Sequence, residues 1–237
     1  MRRQGNHPDT MAYEATVTDG VLQVSRPETR WLSTGYAGGF EPAPAAYNVS
    51  VPEGWDRTDV ATYARERRHD AGFGESGPAL LTGVDMVHAR GARLGSVVAF
   101  ATVGLSNPAT LSLDSDDTSI GTVNLIVATT ETLTRAAQAN LVSVTAETKA
   151  ATLLALADVP GTTSDAVIIG SATDGSAKRF TGSATAIGDA ARNCVRDAIH
   201  ASFNSRYEDD PPPASVDTAD YGARANRRAS VFDPCQR

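Results

Sequence analysis

Lysine is almost missing from this chain: of its 21 basic residues only Lys149 and Lys178 are lysines. Cysteine is confined to Cys194 and Cys235, which rules out a disulfide framework and offers no metal-site spacing. The four histidines are scattered. His7 lies in a polar lead, His69 on a charged helical stretch, His88 in a loop, and His200 one position past an apolar stripe. Such a scatter argues against a zinc site and leaves His88 as the sole base available to a Ser-His-Asp triad. No apolar run approaches the roughly eighteen residues of a membrane span. The start, Met1-Arg2-Arg3-Gln4-Gly5, lacks the apolar block of a secretory signal, so a cytoplasmic protein is expected. Positive charge is in deficit too. A net charge of −7 and a pI near 5.1 speak against a general nucleic-acid binder, which normally carries a basic face.

Several chemistries are absent as motifs. There is no Gly-x4-Gly-Lys-Ser/Thr phosphate loop, no His-Glu-x-x-His, no Cys-x-x-Cys and no Gly-x-Ser-x-Gly elbow. Gly72-Phe73-Gly74-Glu75-Ser76-Gly77 matches the dinucleotide fingerprint in letters alone. It follows a helical stretch and precedes Pro78, whereas the fingerprint links a strand to a helix. Asp85, His88 and Gly91 are spaced one residue too widely for the corrinoid-binding Asp-x-His-x-x-Gly pattern.

What the chain does have is a patterned centre. At 41% hydrophobic residues it can form a normal core. Gly121 to Gly175 reads as strand (Val123 to Ala128), long helix (131–158), then strand (Ala166 to Ile169) ending in the polar elbow Gly170 to Gly175. Val142, Val144 and Thr145 are β-branched, and the helix is expected to kink or break near Ser143. Asp19-Gly20 between alternating runs predicts a hairpin. Gly35 to Phe40 is a glycine-rich loop after a short strand, and Tyr47 to Val51 is a further strand. Asp56 starts a charged surface helix that Gly72 stops. Strands follow at 79–83 and 95–103, the second nearly apolar and so central. Leu111 to Asp117 reads as an exposed acidic loop. The last helix, 185–203, carries Ile187, Ala191, Cys194, Val195, Ala198, Ile199 and Phe203 on one face, with Thr185 as its cap. The expected fold is α/β, with α+β as the alternative: one layered domain over 12–206, a mixed sheet with packed helices. A flexible N-terminus (1–11) and a disordered tail (207–237) flank it.

Polar groups collect at the ends of the apolar strands, where layered α/β domains bind ligands. Ser33, Ser106, Asn107, Asn124, Thr173 and Asp174 are such groups, and Thr145, Glu147 and Lys149 sit on the central helix. Each has a structural alternative: Asn124 bridging backbone groups, Asp174 shaping a turn before Gly175. Glu147 and Lys149, two apart, cannot share a helix face, whereas Thr145 and Lys149 can.

Leu32-Ser33-Thr34-Gly35, Leu81-Thr82-Gly83, Thr102 to Asn107, Gly121 to Asn124, Thr145 to Lys149 and Ala172-Thr173-Asp174 occur in this order. With Gly182 to Gly188 following them, the chain resembles the adenosylcobinamide amidohydrolases, the CbiZ family, over about residues 30–203. The resemblance implies hydrolysis of the amide joining the aminopropanol arm to the corrin ring of adenosylcobinamide. The products would be adenosylcobyric acid and 1-amino-2-propanol, in corrinoid salvage, with the corrinoid as substrate and no cofactor or metal. Homo-oligomerisation stays open. Amide hydrolysis needs a base, oxyanion donors and an acid for the leaving amine. Glu147 or Asp174 is the expected base, Asn124, Asn107 or glycine-loop amides (Gly38, Gly39) the donors, and Lys149 the group that orients the carboxylate or assists the amine. Ser33, Thr145 and Thr173 are expected to contact substrate, as are Ser106 and Asn107. A hydroxyl nucleophile, Ser106 or Thr145, is the competing mechanism. Other readings are a corrinoid-binding protein without hydrolysis and a hydrolase of another small amide.

Overall fold

A computed structural model describes residues 12–52, 55–106, 108–110, 122–209, 212, 223–224 and 231. The acidic loop expected at 111–117, the 1–11 lead and Asn107 lie outside them, as does most of the tail.

Among the described residues two sheets stack face to face, with helices on both outer sides. The first sheet contains β1 (Glu14–Thr18), β2 (Val21–Ser25), β5 (Ala45–Ser50) and β6 (Ala79–Thr82), in the order β1-β2-β5-β6. The second contains β3 (Thr29–Ser33), β4 (Gly39–Pro42), β7 (Arg90–Leu94), β8 (Val97–Gly104), β10 (Thr122–Thr132) and β11 (Ala166–Ala172). Its order is β4-β3-β11-β10-β8-β7. Asp19 and Gly20 both take positive φ (46° and 73°), the left-handed pair that a two-residue hairpin between twisted strands requires.

Alternation along the central strands builds two cores from one sequence. On β8 and β10, Val97, Ala99, Ala101, Val103, Val123, Leu125 and Val127 face the helices α2 (Arg135–Ala157) and α3 (Ala186–Arg206). The alternate residues Val98, Ile126 and Ala128 face the first sheet, meeting Leu22, Val24, Ala46, Leu80 and Trp31. A third cluster (Val21, Tyr47, Val49, Tyr63) lies under α1 (Val60–Asp70) on the far side of the first sheet. Burial on both faces explains why β8 and β10 are apolar nearly throughout.

The central helix is continuous from 135 to 157. It is not broken at Ser143: Leu141, Val144 and Thr145 are buried on the sheet side, and that tertiary packing outweighs the local preference of β-branched residues for strand. Its start is later than the expected 131, because Thr130 to Thr132 prolong β10. Thr134 then caps it, its hydroxyl accepting from Ala137 N at 3.1 Å, a contact worth about 1 kcal/mol. Short strands β4 and β7, for which the sequence shows no strong alternation, complete the edges of the second sheet. Cys194 is buried in the α3 face, and desolvation pushes its thiol above its ordinary range, so it stays protonated and inert. Of the tail, Tyr207 packs on Phe203, and its hydroxyl accepts from Leu105 N at 2.7 Å. Further along, β12 (Ala223–Arg224) pairs in parallel with β9 (Ala109–Thr110).

Candidate active site

β10, α2 and β11 form a strand–helix–strand crossover in which both strands point the same way. Their N-terminal ends therefore meet the C-terminal ends of β3, β5, β6 and β8 at one edge of the two-sheet stack. At that edge lies a cleft of about 1160 Å³. Thr34, Gly35 and Tyr36 line it from the end of β3, Thr82 and Gly83 from β6, and Gly104 and Ser106 from β8. Thr122 comes from β10, Ser164 and Asp165 from the approach to β11, Trp55, Asp56 and Arg57 from the chain leaving β5, and Arg206 and Tyr207 from the end of α3.

Behind the cleft wall a polar network interrupts the otherwise apolar stack. Asn124, on the face of β10 that looks toward the first sheet, donates from Nδ2 to Asn48 Oδ1 (2.9 Å) and to the carbonyl of Leu81 (2.8 Å). Asn48 in turn donates to Thr102 Oγ1 at 2.9 Å. All three residues are at most 2% exposed. Both Nδ2 hydrogens of Asn124 are thus engaged, so they cannot hold an oxyanion. Its Oδ1 is buried with no donor, which leaves Asn124 an acceptor at the head of the network.

Behind the rim sits an ion pair. Lys149 reaches from α2 to Asp165 Oδ2, both side chains being 13% or less exposed. Asp165 Oδ1 accepts from Val123 N at 2.8 Å and from the Thr162 hydroxyl, and Oδ2 accepts from Thr162 N at 3.1 Å. Its four acceptor positions are filled, and it ties α2 to the starts of β10 and β11. Beside it, Thr122 Oγ1 and Ser164 Oγ are 2.9 Å apart. Lys149 pairs here with Asp165, which no sequence motif singled out, and with neither of the expected bases, Glu147 and Asp174.

The other expected residues are placed apart. Glu147 lies on the opposite face of α2 from Lys149, since two residues turn the helix by about 200°, and lines a groove between α2 and α3 with Arg192 and His200. Asp174 and Thr173 follow the far end of β11. Asp174 pairs with the buried Arg26 at 3.4 Å, and the Thr173 hydroxyl donates to the Glu28 carbonyl at 2.9 Å. Eight residues of β10 separate Asn124 from Thr132 at that end, about 26 Å at strand rise. Glu147 and Asp174 thus share no site with each other or with the cleft. The reason is one of direction: the C-terminal end of a parallel strand and the N-terminal end are equally polar in sequence and lie on opposite sides of the domain.

Ser33 is buried beside the cleft, and its hydroxyl accepts from Gly35 N at 3.0 Å, shaping the turn that carries Thr34. Gly38, in the β3–β4 connection, and Gly39, the first residue of β4, are exposed, Gly39 at φ 120°. Thr145 is fully buried against the sheet with its hydroxyl unpartnered. Thr145→Val is therefore expected to leave thermal stability unchanged or raise it, and to leave turnover unchanged. A fall in kcat with intact stability would make Thr145 a functional residue. Asp56 and Trp55 were not found from sequence. Their signal was hidden because Asp56 looks like a helix cap, whereas α1 starts at Val60 after Asp59.

Tyr36 borders the cleft, and burial pushes its phenol above its ordinary range while Arg68 pulls it down. It keeps its proton. Asp56 is exposed at the mouth of the cleft, and among the described residues no hydrogen bond or ion pair engages its carboxylate. No group of three or more metal-ligating side chains occurs among the described residues.

A family model described as adenosylcobinamide amidohydrolase matches residues 6–211. A curated protein of Halobacterium salinarum, named adenosylcobinamide amidohydrolase, is 47% identical over 232 residues, covering 94% of this chain and all of the relative. No solved structure matches.

Proposed function

Because the chain belongs to the adenosylcobinamide amidohydrolase family, we infer that its cleft is where it cleaves the amide joining the aminopropanol arm to the corrin ring of adenosylcobinamide. Adenosylcobyric acid and 1-amino-2-propanol are the products, and the reaction serves corrinoid salvage. The observation that carries the assignment of the cleft is convergence. Four of the strings that carry the family resemblance, Leu32 to Gly35, Leu81 to Gly83, Thr102 to Ser106 and Thr122 to Asn124, meet at this one opening. The space is also at the upper end for a small-molecule pocket, as a macrocycle requires.

The chemistry follows from the groups at hand. Asp165 is saturated and serves to hold the rim. Asp56 is the open carboxylate, and in our reading it takes a proton from water as the oxygen attacks the amide carbon. The resulting oxyanion is met by the Tyr36 hydroxyl, which is protonated and faces the cleft. Collapse breaks the C–N bond, and the proton held by Asp56 passes to the departing nitrogen, leaving a carboxylic acid and an amine, which ionise to carboxylate and ammonium. The mouth of the cleft, where Asp56 is exposed, gives the small amine a direct exit.

No described helix is long and apolar enough to cross a membrane. A cytoplasmic site of action fits a chain whose described cysteine is a buried free thiol.

Incubating the protein with adenosylcobinamide, without nucleotide or added metal, is expected to yield adenosylcobyric acid and one equivalent of 1-amino-2-propanol. A stable red complex with no product would instead identify a corrinoid-binding protein.

A further inference from the structure

The cleft wall contains a donor with nothing to donate to. Trp55 lies just beyond β5, and its ring packs at 5.4 Å on Tyr63 of α1, so the indole is held in place from behind. Its Nε1 is shielded from solvent and meets no acceptor. The other tryptophan, Trp31, is the internal comparison: its Nε1 donates to the Ala43 carbonyl at 2.9 Å, as a buried indole normally does. A buried N–H that the fold leaves unmet is costly, and on a residue that lines a ligand cleft a bound ligand can supply the missing acceptor.

We propose that Trp55 is a substrate-positioning residue whose indole N–H receives a carboxamide carbonyl of the corrinoid. The proposal rests on the cleft being the substrate site, and it adds the chemical class that this wall selects. An indole N–H is a donor only, so the matching group is an acceptor; a neutral carbonyl suits the apolar wall of Val51 and Leu81, which share its cluster. The carbonyl it receives is one other than the scissile amide, so the contact is made equally in the ground and transition states and acts on binding.

Replacing Trp55 by β-(3-benzothienyl)alanine, with sulfur in place of the ring nitrogen, keeps the bicyclic ring packed on Tyr63 and removes only the N–H. As that N–H has no partner in the free protein, its loss leaves thermal stability unchanged or slightly higher, and a change in kinetics cannot be ascribed to unfolding. For adenosylcobinamide, KM and the dissociation constant are expected to rise about fivefold, the loss of one neutral hydrogen bond, with kcat within twofold of the parent. KM and dissociation constant both unchanged would overturn the proposal. So would a large fall in kcat at unchanged KM, which would make the N–H an oxyanion donor instead. Parent protein that binds adenosylcobinamide but does not cleave it would remove the hydrolytic reading alone, and the dissociation constants of the two proteins would still decide the Trp55 contact.

Discussion

Alanine in place of Asp165 is expected to destabilise the protein by about 3–5 kcal/mol, measured from the midpoint of urea unfolding. The loss comes from what the substitution strands. The ammonium of Lys149 would remain in a position only 13% exposed with no carboxylate, and the backbone N–H groups of Val123 and Thr162 would lose their acceptor. Lys149→Met should cost less, because Asp165 would still accept from those two N–H groups and from the Thr162 hydroxyl. That order, Asp165→Ala worse than Lys149→Met, separates a clamp made by the carboxylate from a simple ion pair. Equal losses in the two variants, or a loss below about 1 kcal/mol for Asp165→Ala, would contradict it. Turnover should fall with Asp165→Ala even where the protein remains folded, since Ser164 and Thr122 at the cleft are anchored through the same corner.

The second large effect is on chemistry and leaves the fold alone. Asp56→Asn should lower kcat by about 10²–10⁴-fold, the range for removing a general base, with KM changed little. Its carboxylate is exposed and engages no other described residue, so the unfolding midpoint should not move. Glu147→Gln, in the groove between α2 and α3, is the matched comparison and should retain turnover. If Asp56→Asn turns over within threefold of the parent, water is activated by another group, and Ser106 as a hydroxyl nucleophile becomes the mechanism to test.

Much of the secondary structure was legible because the signals were local. Asp19-Gly20 needs two left-handed residues, and only a hairpin uses them. The stripe from Ile187 to Phe203 has helical period, and α3 occupies 186–206. The weakly patterned strands β4 and β7 were missed because edge strands bury little and so alternate little. The existence of a second sheet was not legible either. An apolar run such as Val97 to Val103 says that both faces are covered, and it does not say whether a helix or another sheet covers each.

The site divides along the same line. Residues at strand ends can be picked out of the sequence, since apolar runs stop where polar groups begin. Which end each belongs to depends on strand direction, and that is set by pairing partners far away in the chain. Ser106 thus falls at the cleft, with Asn124 buried behind Leu81 of its wall, while Thr173 and Asp174 fall at the opposite side of the domain. By itself the sequence determined the family, the patterned crossover from β10 to β11 and the set of polar groups at its turns. Tertiary structure alone decided that Lys149 meets Asp165, that Asn124 presents an acceptor, and that Trp55 and Asp56 stand at the cleft. Local pattern is encoded within a few residues; convergence of side chains is a property of how the two sheets stack.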